Sequence, residues 1–204
     1  MIPVFDGHND AITREGEPDL SQRRPDGHLD LPRMREGGVR GGIFAIFTPS
    51  PGERSEPVVF VEDGVHAVPL APPVSHEEAA AHASAAAARL LELERDGELV
   101  LARTIDDVDA AREGSQPVAV LHLEGAEAID PELDSLGDWY AKGLRSLGPV
   151  WSRANAFAHG VQFAFPSSPD IGPGLTERGE ALVAACGELG ILVDLSHMNE
   201  AGFW

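Results

Sequence analysis

The chain has 204 residues, 43% of them hydrophobic, enough for one sizeable core or one domain with an insertion. It carries 34 Asp plus Glu against 15 Lys plus Arg, a formal net charge of −19. A surface this acidic repels phosphate backbones, so a nucleic-acid partner is not expected. The single cysteine, Cys186, excludes an internal disulfide and, within a helical pattern, reads as a small buried apolar residue. The first residues hold no basic region followed by a long apolar stretch, and no run is long and apolar enough to span a bilayer. A cytoplasmic location is therefore expected.

The first short apolar run, Ile2 to Phe5, reads as a strand that ends in Gly7-His8-Asn9-Asp10. Side chains two apart on an extended segment point the same way, which sets an imidazole beside a carboxylate at a strand end. That is a geometry suited to a divalent metal. The competing reading is a turn in which Asp10 caps the next helix. A polar loop follows to Arg24, with Gly16 and Pro18 inside it. A short helix over Arg33 to Glu36 is stopped by Gly37-Gly38. Ile43 to Phe47 is a continuous apolar run, the pattern of a strand buried on both faces.

Residues 48–74, rich in Pro, Gly and Ser, read as an insertion holding a hairpin. Val58 to Val61 and Val65 to Leu70 flank Glu62-Asp63-Gly64, and Asp-Gly between β-rich runs signals a tight turn. His66 is expected to be exposed there. Ser75-His76-Glu77-Glu78 forms a capping box ahead of an alanine-rich helix that runs to Asp96 and stops at Gly97, with His76 and His82 on its surface. A shorter helix spans Thr104 to Glu113, its first-turn Asp106 and Asp107 favoured by the helix dipole.

Pro117 to Leu123 is the next buried strand, ending in Glu124-Gly125. Glu124 reads as a metal ligand or as the acid of a helix start. A helix is expected from Asp130-Pro131 to Lys142, then a strand over Gly143 to Leu147. Ser152 to Gly174 reads as an aromatic, proline-rich loop containing His159. Thr176 caps a helix ending near Gly190, and Ile191 to Leu195 is a fifth strand with Ser196-His197 at its end. Strand-then-helix alternation implies a parallel α/β sheet. His8, Asp10, Glu124 and His197 all follow the carboxyl ends of strands, the edge where active sites of such folds gather. They are therefore expected to converge.

Asp6-Gly7-His8-Asn9-Asp10, Leu123-Glu124-Gly125, Gly143-Leu144-Arg145 and Val193-Asp194-Leu195-Ser196-His197 resemble motifs of the membrane (renal-type) dipeptidases, zinc metallopeptidases of the metal-dependent hydrolase superfamily. The resemblance runs from about residue 3 to the last residue, with the motifs in order. It implies a (β/α)8 TIM-type barrel of which residues 1–204 are the first five units, an incomplete barrel. It implies two zinc ions: His8 and Asp10 on one, His197 on the other, Glu124 bridging both and serving catalysis. The family's later His, Arg and Asp have no counterpart here. Its substrate-polarising His falls near Trp151, and Trp151 and His159 are the candidates for substrate binding.

Two zinc ions sharing a water lower its pKa, so that a bridging hydroxide exists at neutral pH to attack the peptide carbonyl. The implied function is zinc-dependent hydrolysis of dipeptides. The resemblance leaves open a different metal-dependent hydrolase acting on a cyclic amide or phosphoester, and a truncated chain without activity. Asp194 and His122 stand one strand-step from the site, as ligand-orienting groups or as ordinary buried residues. The hairpin is expected beside the metals, as a cleft wall or a contact of a homodimer of the intact protein. With five strands, the first and fifth expose backbone edges that promote association, and at most one tightly held zinc and little turnover are expected of this chain alone.

Overall fold

A computed structural model of the chain describes residues 2–13, 19–50, 59–70, 72–114 and 116–204. Two compact units emerge: Met1–Phe47, His82–Leu123 and Asp138–Ser146 form the first, and Thr48–Ala81, Glu124–Gly137 and Leu147–Trp204 the second. The elements in chain order are β1 (Val4–Asn9), α1 (Leu31–Gly37), β2 (Val39–Phe47), β3 (Phe60–Glu62), β4 (Val65–Val68), α2 (His76–Arg95), β5 (Val100–Leu101), α3 (Ile105–Ala111), β6 (Val118–Glu124), α4 (Leu136–Lys142), β7 (Leu144–Gly148), β8 (Phe163–Phe165), α5 (Glu177–Leu189), β9 (Leu192–Val193) and α6 (Glu200–Phe203).

In the first unit the strand order is β1-β2-β6-β7, with the two-residue β5 beside β6. β1 and β2 pair in parallel, as do β5 and β6. Gly41 makes this packing close: a Cβ there would lie 2.4 Å from Val118 Cγ1 and 2.7 Å from Val118 O. The expected burial on both faces holds for β2 and β6, but not for β1, where Val4 and Phe5 are 46% and 43% exposed. Among the described residues β1 ends the strand order, with β2 as its one neighbour. A small cluster of Ala102, Ala111 and Val118, with Val100, Val108 and Val120 against it, packs α3 onto β5 and β6.

Helix starts follow their capping chemistry. Asp30 accepts the Arg33 amide hydrogen at 2.7 Å, Pro32 sits in the first turn, and Gly38 closes α1 at φ 74°. Thr104 and Asp107 form a reciprocal capping box on α3. At α2, Ser75 Oγ takes the Glu78 amide hydrogen but donates its own proton to the Glu78 carboxylate. The buried face of α2 is nearly all alanine: Ala79, Ala83, Ala86, Ala87, then Leu90. His76 is exposed on this helix and His82 half-buried.

In the second unit, β9 adds to the end of β7, the Asp194 amide donating to Leu147 O at 2.9 Å. Leu192 on β9 is 61% exposed. Thr176 caps α5 through the Gly179 amide, and Gly190 ends it at φ 75°. Cys186 is fully buried on this helix, and burial pushes its thiol up to about 11. The expected hairpin is present: β3 and β4 pair antiparallel around Asp63 at φ 49° and Gly64 at φ 81°. Val58 and the rest of the 51–58 stretch lie outside the described residues, as do 14–18, with Gly16 and Pro18. Among the described residues, no helix is long and apolar enough to cross a membrane.

Two expectations need correction. The stretch Ser152 to Gly174, read as a loop, contains a strand: β8 pairs antiparallel with β4 in the register His66↔Phe165, Ala67↔Ala164 and Val68↔Phe163. The helix expected from Asp130 starts only at Leu136. The Asp130 carboxylate accepts the amide hydrogens of Glu132, Asp134 and Ser135 and the Ser135 hydroxyl hydrogen, which winds residues 130–135 into turns.

The Ser135 hydroxyl, with those amides, holds the Asp130 carboxyl at about 2. A folded pKa below the unfolded one stabilises above the unfolded value, and the gain is lost as pH falls through the folded value. Acid titration of stability should therefore show a loss from about pH 4 down to pH 2, near those two values. Asp130→Ala should lower stability at pH 7 and flatten that limb; an unchanged acid limb in denaturant melts would exclude the assignment.

Candidate functional site

In the first unit, β1 carries a bulge at its carboxyl end. Asp6 pairs with Gly42 and Asn9 with Phe44, so three steps on β1 match two on β2. His8 sits in this irregularity, the kind that re-aims a side chain. Asn9 fixes it: its Nδ2 donates to Asp6 Oδ2 at 3.0 Å and to Ile43 O at 3.2 Å, while its Oδ1 accepts from the Ala11 amide. Gly42 leaves the necessary room, since a Cβ there would stand 3.0 Å from Asp6 Cβ. His8 Nε2 and Asp10 Oδ1 lie 3.4 Å apart, with side chains 39% and 57% exposed.

Among the described residues no helix begins at Asp10; its carbonyl closes a turn by accepting from the Thr13 amide and hydroxyl. Two arginines hold the chain just beyond it, Arg24 on Ala11 O and Arg89 on Ile12 O. A cavity of about 180 Å³ opens beside Asp10, with Asn9, Arg24 and His28 in its lining. His122, fully buried on β6, packs edge-to-face with His8, ring centroids 5.9 Å apart, and bonds Ser146 Oγ through Nδ1 at 2.9 Å. It thus packs on His8 and is anchored from behind.

In the second unit, Glu124 and His197 meet. His197 Nε2 lies 3.0 Å from Glu124 Oε1, and the side chains are 23% and 11% exposed, His197 first. No helix starts at Glu124; Gly125 follows at φ 95°, where a Cβ would fall 2.4 Å from Glu127 Oε2. His197 Nδ1 lies 2.8 Å from Ser152 Oγ. Both residues have left-handed backbones, φ 65° at His197 and 48° at Ser152, a conformation that costs about 1–3 kcal/mol each and persists only where neighbours impose it. Gly160 is one such neighbour: its backbone bridges to Met198, and a Cβ on it would lie 2.6 Å from Ser152 O and 2.8 Å from His197 O.

Trp151 and Phe163 close the surroundings of His197, with ring centroids 5.9 and 6.4 Å from the imidazole and 5.6 Å from each other. In an antiparallel sheet, opposed residues share a face and alternate residues return to it. Val61, His66, Val68, Phe163 and Phe165 therefore lie on one face of β3-β4-β8. The expected hairpin is thus tied through Phe163 to His197, and His66 is exposed as expected. Val61 and Phe165 are 62% and 77% exposed.

A buried pair braces the same segment. Arg153 Nε and Glu127 Oε1 are 3.2 Å apart with side chains 1% and 2% exposed. Arg153 also donates to Ser50 Oγ and Thr48 O, and its guanidinium lies 5.1 Å from the Trp151 ring centre. Burial pushes the Glu127 carboxyl up despite the opposing Arg153 charge. Of the sequence candidates, Trp151 stands on His197, whereas His159 is held by its backbone amide on Gly174 O. Asp194 Oδ1 accepts from the Ser196 amide and hydroxyl. Ser152, Gly160, Phe163 and the Glu127–Arg153 pair escaped the sequence reading, because each acts through a partner distant in the chain.

The description of membrane dipeptidases, peptidase family M19, matches residues 1–204, and the chain belongs to that family. The solved dipeptidase AC, a metallo peptidase of family M19, is 46% identical with a TM-score of 0.86, over 99% of this chain and 58% of that one. A metallo peptidase from Rhodobacter sphaeroides, solved with a phosphinate mimic of the dipeptide L-Ala-D-Ala, is 43% identical with a TM-score of 0.85, over 99% of this chain and 60% of that one. An uncharacterized protein in the PQQ-III 3′ region of Acinetobacter calcoaceticus is 37% identical over 215 residues, 100% of this chain and 66% of that protein. The chain thus spans 58% to 66% of these relatives' lengths. The fold class is the expected one, five units of the (β/α)8 type.

Gly160→Ala should drive a methyl into Ser152 and His197, with an overpacking cost of about 1–3 kcal/mol. Urea unfolding of the variant should show that loss; a midpoint equal to the wild type would mean that this segment is looser than its distances imply.

Proposed function

We propose that the protein carrying this chain is a zinc-dependent dipeptidase with a dinuclear site. An imidazole nitrogen and a carboxylate oxygen lie at close range in two places, 3.4 Å apart for His8 and Asp10 after β1 and 3.0 Å apart for His197 after β9 and Glu124 at the end of β6. Ligand bonds of 2.0–2.1 Å in a tetrahedron put neighbouring ligand atoms about 3.3 Å apart, so each pair suits one zinc ion. Those two spacings carry the reading, and membership of the dipeptidase family supports it. In this assignment His8 and Asp10 would hold one ion, His197 would hold the other, and Glu124 would serve both.

Zinc in such a site supplies an acidified water as nucleophile and polarises the peptide carbonyl. The chain's own groups prepare the place. Glu124, largely withdrawn from solvent, would contribute negative charge to the bound cations. Trp151 and Phe163 pack against the His197 imidazole and reduce its contact with water. The hairpin face with Val61 and Phe165 gives an apolar wall for a substrate side chain beside that shield. The phosphinate mimic of L-Ala-D-Ala held by the Rhodobacter sphaeroides relative supports short dipeptides, including those with a D-residue at the carboxyl end.

Zinc titration by equilibrium dialysis tests the assignment. Glu124→Ala should weaken zinc binding most, because both ions lose a ligand, while His8→Ala and His197→Ala should each remove one ion's affinity. Removal of zinc from the protein by chelation should abolish L-Ala-D-Ala hydrolysis, and zinc should restore it. Undiminished zinc binding in Glu124→Ala would sink the bridging role, and hydrolysis that survives complete metal removal would sink the reaction.

A further inference from the structure

His197 is engaged at both ring nitrogens, Nε2 facing Glu124 Oε1 at 3.0 Å and Nδ1 facing Ser152 Oγ at 2.8 Å. A neutral imidazole owns one N–H, and a carboxylate can only accept. Without metal, that hydrogen belongs on Nε2, donated to Glu124, and Nδ1 must then accept one from Ser152. A metal on Nε2 takes the lone pair there, so the hydrogen has to stand on Nδ1 and the neighbour of Nδ1 must become an acceptor. A carboxylate or carbonyl in that place, the usual support of a ligand histidine, serves only the second state. A hydroxyl serves both, by rotation about its Cβ–Oγ bond.

We propose that Ser152 is a positioning residue that lets His197 exchange tautomers as metal enters or leaves, without a change in ring position. The proposal rests on His197 as a metal ligand. Its geometry is imposed rather than incidental. Ser152 is 1% exposed, so water does not readily replace its hydroxyl. Its left-handed backbone is clamped by Gly160 on one side and followed by the buried Arg153 on the other. The same Gly160 backbone meets His197 O, and the Val161 amide donates to that oxygen at 2.9 Å, so donor and ring are held by one segment.

The test is long-range ¹H–¹⁵N NMR of the His197 ring in the full chain, metal-free and at saturating zinc, for wild type, Ser152→Ala and Ser152→Gly. Glycine relieves the left-handed backbone, which offsets part of the cost of the lost hydrogen bond, so this variant should still fold and lack only the hydroxyl. Wild type should show hydrogen on Nε2 without metal and on Nδ1 with zinc at Nε2. Both variants should lose the single metal-free tautomer and bind zinc at His197 roughly 10–100-fold more weakly, the range for loss of a group that supports a ligand. Zinc that leaves wild-type Nε2 unshifted would remove His197 as a ligand and the proposal with it. Wild-type affinity and wild-type tautomers in Ser152→Gly would leave the ligand in place and overturn the role of Ser152 alone. A metal-free His197 carrying hydrogens on both nitrogens would overturn it too.

Discussion

The second unit is built on the Glu127–Arg153 pair. A buried ion pair gives up the hydration of two charges, and only good geometry and further hydrogen bonds make that loss tolerable. Arg153 has further hydrogen bonds, to the Thr48 carbonyl and the Ser50 hydroxyl, and the Trp151 ring beneath its guanidinium, whereas the facing Glu127 oxygens are held by charge rather than by a well-directed hydrogen bond. Through these bonds the chain immediately before and after Ser152 is fixed, and with it the hydroxyl and the indole that face His197. Loss of one charge alone would strand the other in a dry place, a change typically worth about 3–5 kcal/mol. The pair does no chemistry at the candidate metal ligands, yet their surroundings inherit its rigidity.

The two imidazole–carboxylate pairs are held differently. His8 and Asp10 are substantially exposed, on a bulge fastened by the Asn9 side chain. Water screens their charges, and each can adjust. Glu124 and His197 are more withdrawn, with Trp151 and Phe163 against the imidazole and left-handed backbone at His197 itself. Interactions there are stronger per unit charge, and an unmatched hydrogen costs more. One pair is thus soft and hydrated, the other stiff and dry.

Much of this was legible from local chemistry. The strand-then-helix order follows from apolar runs and capping residues, and the hairpin from Asp63-Gly64, whose turn needs positive φ. The strand-end positions of His8, Glu124 and His197 were visible for the same reason. Illegible were features that join distant residues or in which a side chain competes with the backbone. Asp130 looks like a helix start, but its carboxylate captures the amides that a helix would use. β8 lacks a turn signal and exists because β4 offers it an edge. Gly160 and Gly42 look like loop and strand glycines until the atoms that crowd them are known.

The pairing of β4 with β8 also bears on how the molecule assembles. β3 and β4 close over a two-residue turn, a step that takes about 1–10 μs in isolated hairpins. His66 opposite Phe165 joins chain positions roughly a hundred residues apart, and such contacts form only after the intervening chain has been gathered. Phe163, placed by that late pairing, is one of the two rings against His197. During folding, then, the hairpin exists before it has anything to shelter, and the imidazole meets water until the last antiparallel strand arrives.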